Sequence, residues 1–337
     1  VSAEYVEAVS IFVTHGTSQI YISHTGCHSC LYGKQPMDIS KIRPRFCLFK
    51  DARDYQILCL TLFLGLGVAM RDWSLQPAIV ATAIFTALVS QGLISCWLTP
   101  KETLRDRLRL ANAEPVRWLS GAEVNWRSPL ITALGLSLLL RTDHIATMAL
   151  AAGIAIASKF LFKTNDKHFF NPANLGIIAA LTLTNDAWVS PGQWGDEIWY
   201  AFIFIGAGGM VLKRVGRWDT TGMFLASYAL LEALRNFYLG WTWDVWAHRM
   251  SSGSLLLFAL FMVTDPRSIP NARPARLIWA LAIAVLTFVL RNQFYLSTAV
   301  FWALFALAPL TVLLDKLWES PRFEWKHFRK VALSSAR

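Results

Sequence analysis

The chain alternates long apolar runs with short polar segments, and this pattern predicts its architecture. Ten apolar runs have the length, or nearly the length, of a membrane-spanning helix. They cover residues 56–70, 77–98, 128–140, 144–162, 171–184, 198–213, 220–239, 251–264, 276–290 and 295–314. A full span needs about 20 residues, so we expect the shorter runs at 128–140 and 171–184 to be broken or tilted helices. The pattern predicts an all-α, polytopic integral membrane protein with about ten transmembrane helices.

Composition and charge agree with a protein that lies in a lipid bilayer. Of the 337 residues, 55% are hydrophobic and 16% are charged, which departs from soluble globular proteins in both directions. The net charge of +10 would suggest a nucleic-acid partner in a soluble protein. With ten spans and a cytoplasmic N-terminus, however, 27 of the 32 Lys and Arg residues fall on the cytoplasmic side. This positive-inside pattern predicts that both termini are cytoplasmic and that nucleic acid is not a partner.

A weak internal duplication divides the chain into two halves. Ser128-Pro-Leu-Ile-Thr is followed, 43 residues after Ser128, by Asn171-Pro-Ala-Asn, and Ser252-Gly-Ser is followed at the same interval by Tyr295-Leu-Ser-Thr. Small residues at helix starts also recur by chance. Five spans in each half would give two inverted five-helix repeats, which place a ligand or ion site near the midplane. The predicted segments are a cytoplasmic tail at 1–54, repeats at 55–184 and 185–315, and a basic cytoplasmic tail at 316–337.

The reactive and ionisable residues give weaker signals. Cys27 and Cys30 have a C-x-x-C spacing without a second pair, which favours ordinary reduced thiols over a metal or redox site. No metal site and no catalytic residue are predicted. Glu232 lies inside an apolar run, three residues before Arg235, and is interpreted either as a proton or cation waypoint or, preferably, as a salt-bridged partner of Arg235. Asp265 is expected to cap the following turn or to orient Arg267 and Arg273.

Four landmarks occur in order along residues 55–315 and carry a family resemblance. They are Ser128-Pro-Leu-Ile-Thr132, Phe170-Asn-Pro-Ala-Asn174, the Arg214 to Asp219 loop, and Ser252-Gly-Ser254 ahead of Thr264-Asp265-Pro266. This order resembles the D subunit of Rnf-type electron-transport complexes and the B subunit of sodium-pumping NADH:quinone reductase, the RnfD/NqrB family. Phe-Asn-Pro-Ala-Asn and Trp-Val-Ser-Pro-Gly-Gln-Trp look closer still to the UnbU-like proteins encoded with enediyne biosynthesis.

The resemblance implies a membrane subunit of an Rnf/Nqr-like electron-transport system, in a bacterial inner (plasma) membrane and in complex with other membrane redox subunits. Family members carry FMN on a Thr of a Ser-x-Ala-Thr motif, which the corresponding loop at residues 184–197 lacks. We therefore expect FMN or riboflavin, or a related redox ligand such as a quinone, to bind non-covalently at the repeat interface. Thr184 and Ser190 are the hydroxyls in that loop and are the weaker candidates for covalent flavin attachment.

The expected ligand site is built from helix starts. Asn171 and Asn174 share a helix face, and Asn171 is a suitable N-cap whose helix start would favour an anionic group or a carbonyl. Capping alone is an equally good interpretation of Asn171, and of Ser128 and Ser252. The predicted cofactor-binding residues are Ser128, Thr132, Asn171, Asn174, Ser252, Ser254, Thr264 and Asp265. The alternative functions are a non-redox transporter or facilitator of a small solute or natural product, and an assembly or anchoring subunit.

Overall fold

The described helices follow the predicted apolar runs. The computed structural model describes residues 51–70, 75–98, 126–190 and 198–323, all within the unit Phe49–Arg337. Its helices are α1 (Ala52–Met70), α2 (Pro77–Leu98), α3 (Arg127–Leu139), α4 (Ile145–Leu161), α5 (Pro172–Leu183), α6 (Ile198–Val215), α7 (Trp218–Tyr238), α8 (Trp243–Met250), α9 (Gly253–Leu257), α10 (Arg273–Asn292), α11 (Ala299–Leu307) and α12 (Leu310–Leu317). The Cys27 and Cys30 pair and most of both predicted tails lie outside the described residues.

Two short antiparallel ribbons, which the all-α expectation did not include, join some of these helices. Strand β1 (Leu140–Thr142) follows α3 and pairs with β4 (Ala187–Val189), which follows α5. Strands β2 (Lys163–Thr164) and β3 (Lys167–His168) form a hairpin between α4 and α5. The fold is therefore mostly helical, with small strand pairs at the helix ends.

Several helices have the length and hydropathy of membrane spans. Within the described ranges, three qualify singly: Ala52–Ala69, Pro77–Leu98 and Arg273–Asn292. Helices α11 and α12 qualify together, but they are bent by 47° at the break between them. Shorter apolar helices cover Arg127–Leu139, Ile145–Leu161, Pro172–Leu183 and Gly253–Met262. The chain is a multi-pass membrane protein, and the number of ten spans stays a prediction.

The runs at 128–140 and 171–184 were expected to form broken or tilted helices, and neither helix is broken. Helices α3 and α5 are each continuous, with 13 and 12 residues, because Pro129 and Pro172 lie in their first turns, where proline does not interrupt helical hydrogen bonds. Helix α9 instead continues into a π-helical turn at Phe258–Met262, closed by a 3.0 Å hydrogen bond from the Val263 N–H to the Phe258 oxygen. A break with a bend of 47° occurs at Pro309, between α11 and α12.

Helix packing follows the same order in the two parts of the chain. In the first part, α1 packs on α3, α2 on α4, and α4 on α5. In the second part, α6 packs on α9, α7 on α10, and α10 on α11. Contacts between the parts include those of α1 with α6 and of α5 with α11. The first junction is aromatic, since the rings of Phe63 and Phe204 stack with centroids 4.2 Å apart and Phe261 meets Phe63 edge-on.

Candidate functional site

A cavity of about 210 Å³ lies among helices of both parts of the chain. Its walls come from helices α1 to α6, from the β2–β3 hairpin, from α9 with the π-helical turn, and from the loop at residues 264–267. Leu139, Phe160 and Phe261 give it apolar walls, while hydroxyl, amide and charged groups supply polar positions. Apolar walls with a few convergent polar groups are typical of small-molecule sites.

Five of the eight predicted cofactor-binding residues line this cavity. They are Ser128, Thr132, Asn171, Thr264 and Asp265. Asn174, Ser252 and Ser254 are not among its lining residues. Asn174 is buried against the second part of the chain, where its Nδ2 donates to the Phe301 oxygen at 3.1 Å. Ser252 precedes α9 as its N-cap residue, and its hydroxyl lies 3.0 Å from that of Ser254.

Asn171 has the predicted role of helix cap and a second role that the sequence did not indicate. Its Oδ1 accepts the Asn174 backbone N–H at 3.1 Å, which satisfies one of the free donors at the start of α5. Its Nδ2 donates to the Met262 oxygen at 3.3 Å, in the π-helical turn. The first turn of α5 is thereby attached to the second part of the chain beside the cavity.

The serine and threonine side chains of the cavity are held by local contacts. The alternative interpretation of Ser128 as the cap of α3 is wrong, because the helix already begins at Arg127 and the Ser128 hydroxyl accepts from the Lys159 ammonium at 3.1 Å. Thr132 donates to the Ser128 backbone oxygen at 3.0 Å, and Thr264 donates to the Leu260 oxygen at 2.7 Å. Both threonine oxygens keep lone pairs that can accept hydrogen bonds from a ligand.

The cavity carries an excess of positive charge. Among the residues that the structure describes, its charged lining consists of Arg53, Lys159, Lys163 and Arg267, the histidine His168 and one carboxylate, Asp265. Arg53 is neutralised by Asp51, at 2.6 Å. Lys159 is only 7% exposed, and among the described residues its ammonium forms no ion pair. Sequence analysis missed Lys159 as a site residue because it was counted with the basic charges of a cytoplasmic loop, although four apolar or small residues precede it in α4.

Asp265 has a more restricted set of contacts than predicted. Its Oδ1 accepts the Arg267 backbone N–H at 3.2 Å, which confirms the predicted cap of the turn. Its Oδ2 lies 3.7 Å from His168 Nε2. Burial raises the pKa of the Asp265 carboxyl, but the hydrogen bonds and charge of His168 and the Arg267 N–H outweigh burial and leave the pKa below its usual value. Arg273 does not meet Asp265, since its Nε lies 3.7 Å from Asp219.

The two candidates for covalent attachment lie at the opposite end of α5. The Thr184 hydroxyl donates to the Ala180 oxygen at 2.7 Å, and the Ser190 backbone N–H donates to the Leu139 oxygen at 2.8 Å beside the β1–β4 ribbon. The length of α5 separates Thr184 from Asn171, which at 1.5 Å per residue is roughly 20 Å. The cavity nevertheless extends along α3 as far as Leu139, whose backbone oxygen accepts the Ser190 N–H.

Glu232 is paired, but not with the predicted residue. Its carboxylate is 2% exposed and accepts from Arg249 Nη1 at 2.8 Å and from Asn292 Nδ2 at 2.9 Å. Arg235 instead lies over the ring of Trp241, 4.8 Å from its centroid. The predicted Glu232–Arg235 pair is wrong because α8, which comes after α7 in the chain, brings a closer guanidinium. This contact connects elements that helix periodicity alone does not place together.

Comparison with known proteins identifies the chain's family. Residues 61–324 match the NQR2, RnfD, RnfE family. Over 192 residues the chain is 29% identical to the D subunit of the ion-translocating oxidoreductase complex of Stutzerimonas stutzeri, an alignment that covers 55% of this chain and 54% of that relative. The chain thus spans about half the length of this curated relative. The RnfD/NqrB resemblance is confirmed, whereas the closer likeness to UnbU-like proteins stays a prediction. The chain belongs to the NQR2, RnfD, RnfE family of membrane subunits.

Proposed function

We propose that this protein is a membrane subunit of an Rnf/Nqr-like electron-transport system that binds FMN or riboflavin non-covalently in the cavity. The family and the name of the relative support the class of system. The observation that carries the cofactor proposal is the convergence of five sequence-predicted residues on one cavity with apolar walls. The family and the relative also support other membrane redox subunits as partners and a bacterial inner membrane as the location. The distribution of Lys and Arg supports cytoplasmic termini.

Two inverted repeats form part of this proposal. The repeated packing order, α2 on α4 and α7 on α10, supports a duplication, as does the similar relation of α5 and α11 to their preceding helices. The cavity takes walls from both parts of the chain, and inverted repeats place ligand sites at such an interface. The continuous short helices α3 and α5 both begin beside this cavity.

The lining residues match the chemical requirements of a flavin. Leu139, Phe160 and Phe261 can cover an isoalloxazine ring and exclude water from it. Thr132 and Thr264 offer hydroxyl oxygens as acceptors, while the basic residues favour an anionic substituent. When bound, the flavin would supply one- and two-electron transfer. The chain's own residues would hold and orient the ring.

A spectroscopic experiment tests the proposal. Absorption and fluorescence spectra of the detergent-purified chain are recorded before and after denaturation, and in-gel fluorescence is then measured. We expect flavin to be released on denaturation. Flavin retained in the gel would contradict non-covalent binding and direct attention to Thr184 and Ser190. A folded preparation without flavin that also binds none when it is added, but carries solute flux in proteoliposomes, would favour the transporter alternative.

A pair of matched variants locates the site. Thr264→Val removes a cavity hydroxyl with little change of shape, and Thr182→Val removes a similar hydroxyl, bonded to the Ile178 oxygen, outside the cavity. We expect Thr264→Val to weaken flavin binding about five- to tenfold, as for the loss of one neutral hydrogen bond. Thr182→Val is expected to leave binding unchanged. Equal effects of the two variants would contradict this location.

A further inference from the structure

The Lys159 side chain is a buried cation that faces the cavity. It lies near the end of α4, is 7% exposed, and its ammonium donates to the Ser128 hydroxyl at 3.1 Å. A hydroxyl dipole does not replace the hydration that a buried ammonium loses. Among the described residues, no carboxylate completes an ion pair with Lys159. Asp265 attracts this charge from beyond ion-pair distance, so the described part of the chain compensates it only in part.

A second buried lysine, Lys167, differs from Lys159 because it forms an ion pair within the protein. Lys167, on the hairpin after α4, contacts Asp315 Oδ2 at 2.6 Å and also donates to the Ile269 oxygen. Lys167 does not line the cavity. Two buried lysines thus lie close together in sequence, one with an internal carboxylate and one beside an open cavity.

The surroundings of Lys159 add positive charge. Lys163 and Arg267 line the same cavity. The single lining carboxylate, Asp265, already faces His168 and accepts the Arg267 N–H. The first turns of α3 and α5 also border the cavity, and helix N-termini attract anions. Each of these features favours a negatively charged ligand over a neutral one.

We infer that the cavity recognises its ligand through an anionic group, a phosphate monoester or a carboxylate, and that the Lys159 ammonium is the counter-charge of that group. This inference rests on the proposed function, which supplies the flavin ring as the part of the ligand that carries the anionic group. With a flavin, it selects the phosphorylated form, FMN, over riboflavin. With another aromatic ligand, it selects the acid over the uncharged analogue.

The test compares two flavins that differ only by a phosphate. The detergent-purified full chain, freed of bound flavin, is titrated with FMN and with riboflavin while flavin fluorescence is measured. We expect FMN to bind about ten- to a hundredfold more tightly, the ratio expected for a charge-assisted hydrogen bond. Lys159→Met should reduce this ratio to about threefold or less. Lys213→Met, which removes an exposed charge at the end of α6 outside the cavity, should preserve it.

Thermal unfolding without ligand separates a binding lysine from a structural one. Because Lys159→Met removes a buried charge that has no ion-pair partner among the described residues, we expect it to unfold at a higher temperature than the wild type. Lys167→Met leaves Asp315 without its partner and should unfold at a lower temperature. A Lys159→Met variant that unfolds at a lower temperature than the wild type would overturn the inference, since Lys159 would then be structural.

The remaining outcomes distinguish the inference from the proposed function. Equal affinities of the wild type for FMN and riboflavin would overturn the inference and leave flavin binding intact. A tenfold ratio that persists in Lys159→Met would also overturn it. If neither flavin binds, the proposed function fails; the inference then stands only if inorganic phosphate raises the unfolding temperature of the wild type and not of Lys159→Met, and is otherwise refuted.

Discussion

The buried carboxylate of Glu232 is expected to hold α8 against the helix bundle. No side chain of α8 is fully buried. Its contacts with α7 include the Arg249–Glu232 ion pair at 2.8 Å and the donation from Trp246 Nε1 to the Ala229 oxygen at 2.9 Å. Glu232→Ala removes the first contact. We expect the variant to be clearly less stable and α8 to be more accessible.

The magnitude depends on the groups that the substitution leaves without partners. Breaking a buried ion pair costs about 3–5 kcal/mol when one charge remains buried and unpaired. The Arg249 side chain is 25% exposed, can recover some hydration and keeps its 3.1 Å donation to Asn292 Oδ1, while Asn292 Nδ2 keeps its hydrogen bond to the Phe288 oxygen. We therefore expect about 3 kcal/mol for Glu232→Ala, at the lower end of that range. Glu232→Gln keeps the shape and one acceptor, so about 1–2 kcal/mol is expected.

The assay combines unfolding with limited proteolysis. Unfolding free energies are measured in detergent for Glu232→Ala, Arg249→Ala and the double variant, with a coupling energy of about 1–2 kcal/mol expected between the two sites. Trypsin cleavage after Arg249 should be faster in Glu232→Ala than in the wild type. Arg235→Ala, one helical turn from Glu232, is the control and should cost less than about 1 kcal/mol, as for an exposed cation–π contact.

Two results would refute this reasoning. The first is a cost of Arg235→Ala as large as that of Arg249→Ala, which would restore the pairing expected from helix spacing. The second is a Glu232→Ala protein as stable as the wild type. Loss of ion coupling in a fully stable Glu232→Gln protein would instead favour the waypoint interpretation of this residue.

Three further predictions concern packing and charge at the helix ends. Gly176→Ala should destabilise the protein by about 1–3 kcal/mol, because the new Cβ would lie 2.6 Å from a backbone oxygen of α4, whereas Gly153→Ala, with open space around it, should be neutral or slightly stabilising in unfolding assays. Desolvation raises the pKa of Asp186, but the hydrogen bonds that it accepts, mainly from the start of α4, have the larger combined effect and lower this pKa from 3.8 to about 2. Because this pKa is depressed on folding, the stabilisation is full above the usual value of 3.8 and is lost as the pH falls towards 2, so the gap in unfolding temperature between wild type and Asp186→Asn should close over that interval. Asp315→Asn should cost about 1–3 kcal/mol by weakening the partner of buried Lys167, and chemical unfolding of the variant measures this cost.

Local rules were sufficient for part of the fold. Hydropathy predicted α2 at the residues where it occurs, 77–98, because a helix that faces lipid needs little besides apolar side chains. Asn171 was predicted as a cap because its side chain can accept a free backbone N–H of the first turn, and because Pro172 is suited to the first helical position. Both features depend on residues adjacent in sequence.

Features that depend on distant residues could not be predicted in the same way. The π-helical turn exposes the Ala259 oxygen to the Thr221 hydroxyl of α7, 2.7 Å away, a contact between residues 38 positions apart. The partner of Glu232 and the burial of Lys159 are set by packing of the same kind. Lysine near the end of a hydrophobic segment usually extends its ammonium to the aqueous interface, and only the surrounding helices show that Lys159 is enclosed.

The π-helical turn at Phe258–Met262 also sets the rotational position of the segment on its C-terminal side. A π turn holds one more residue than an α turn, so removal of one residue from this segment would allow a regular helix to continue. The loss would rotate Thr264 and Asp265 by about 100° around the helix axis. Both residues line the cavity with the present spacing. The extra residue of the π turn therefore sets the direction in which the loop that follows it leaves the helix. Without this residue the helix would still form, but Thr264 and Asp265 would no longer line the cavity.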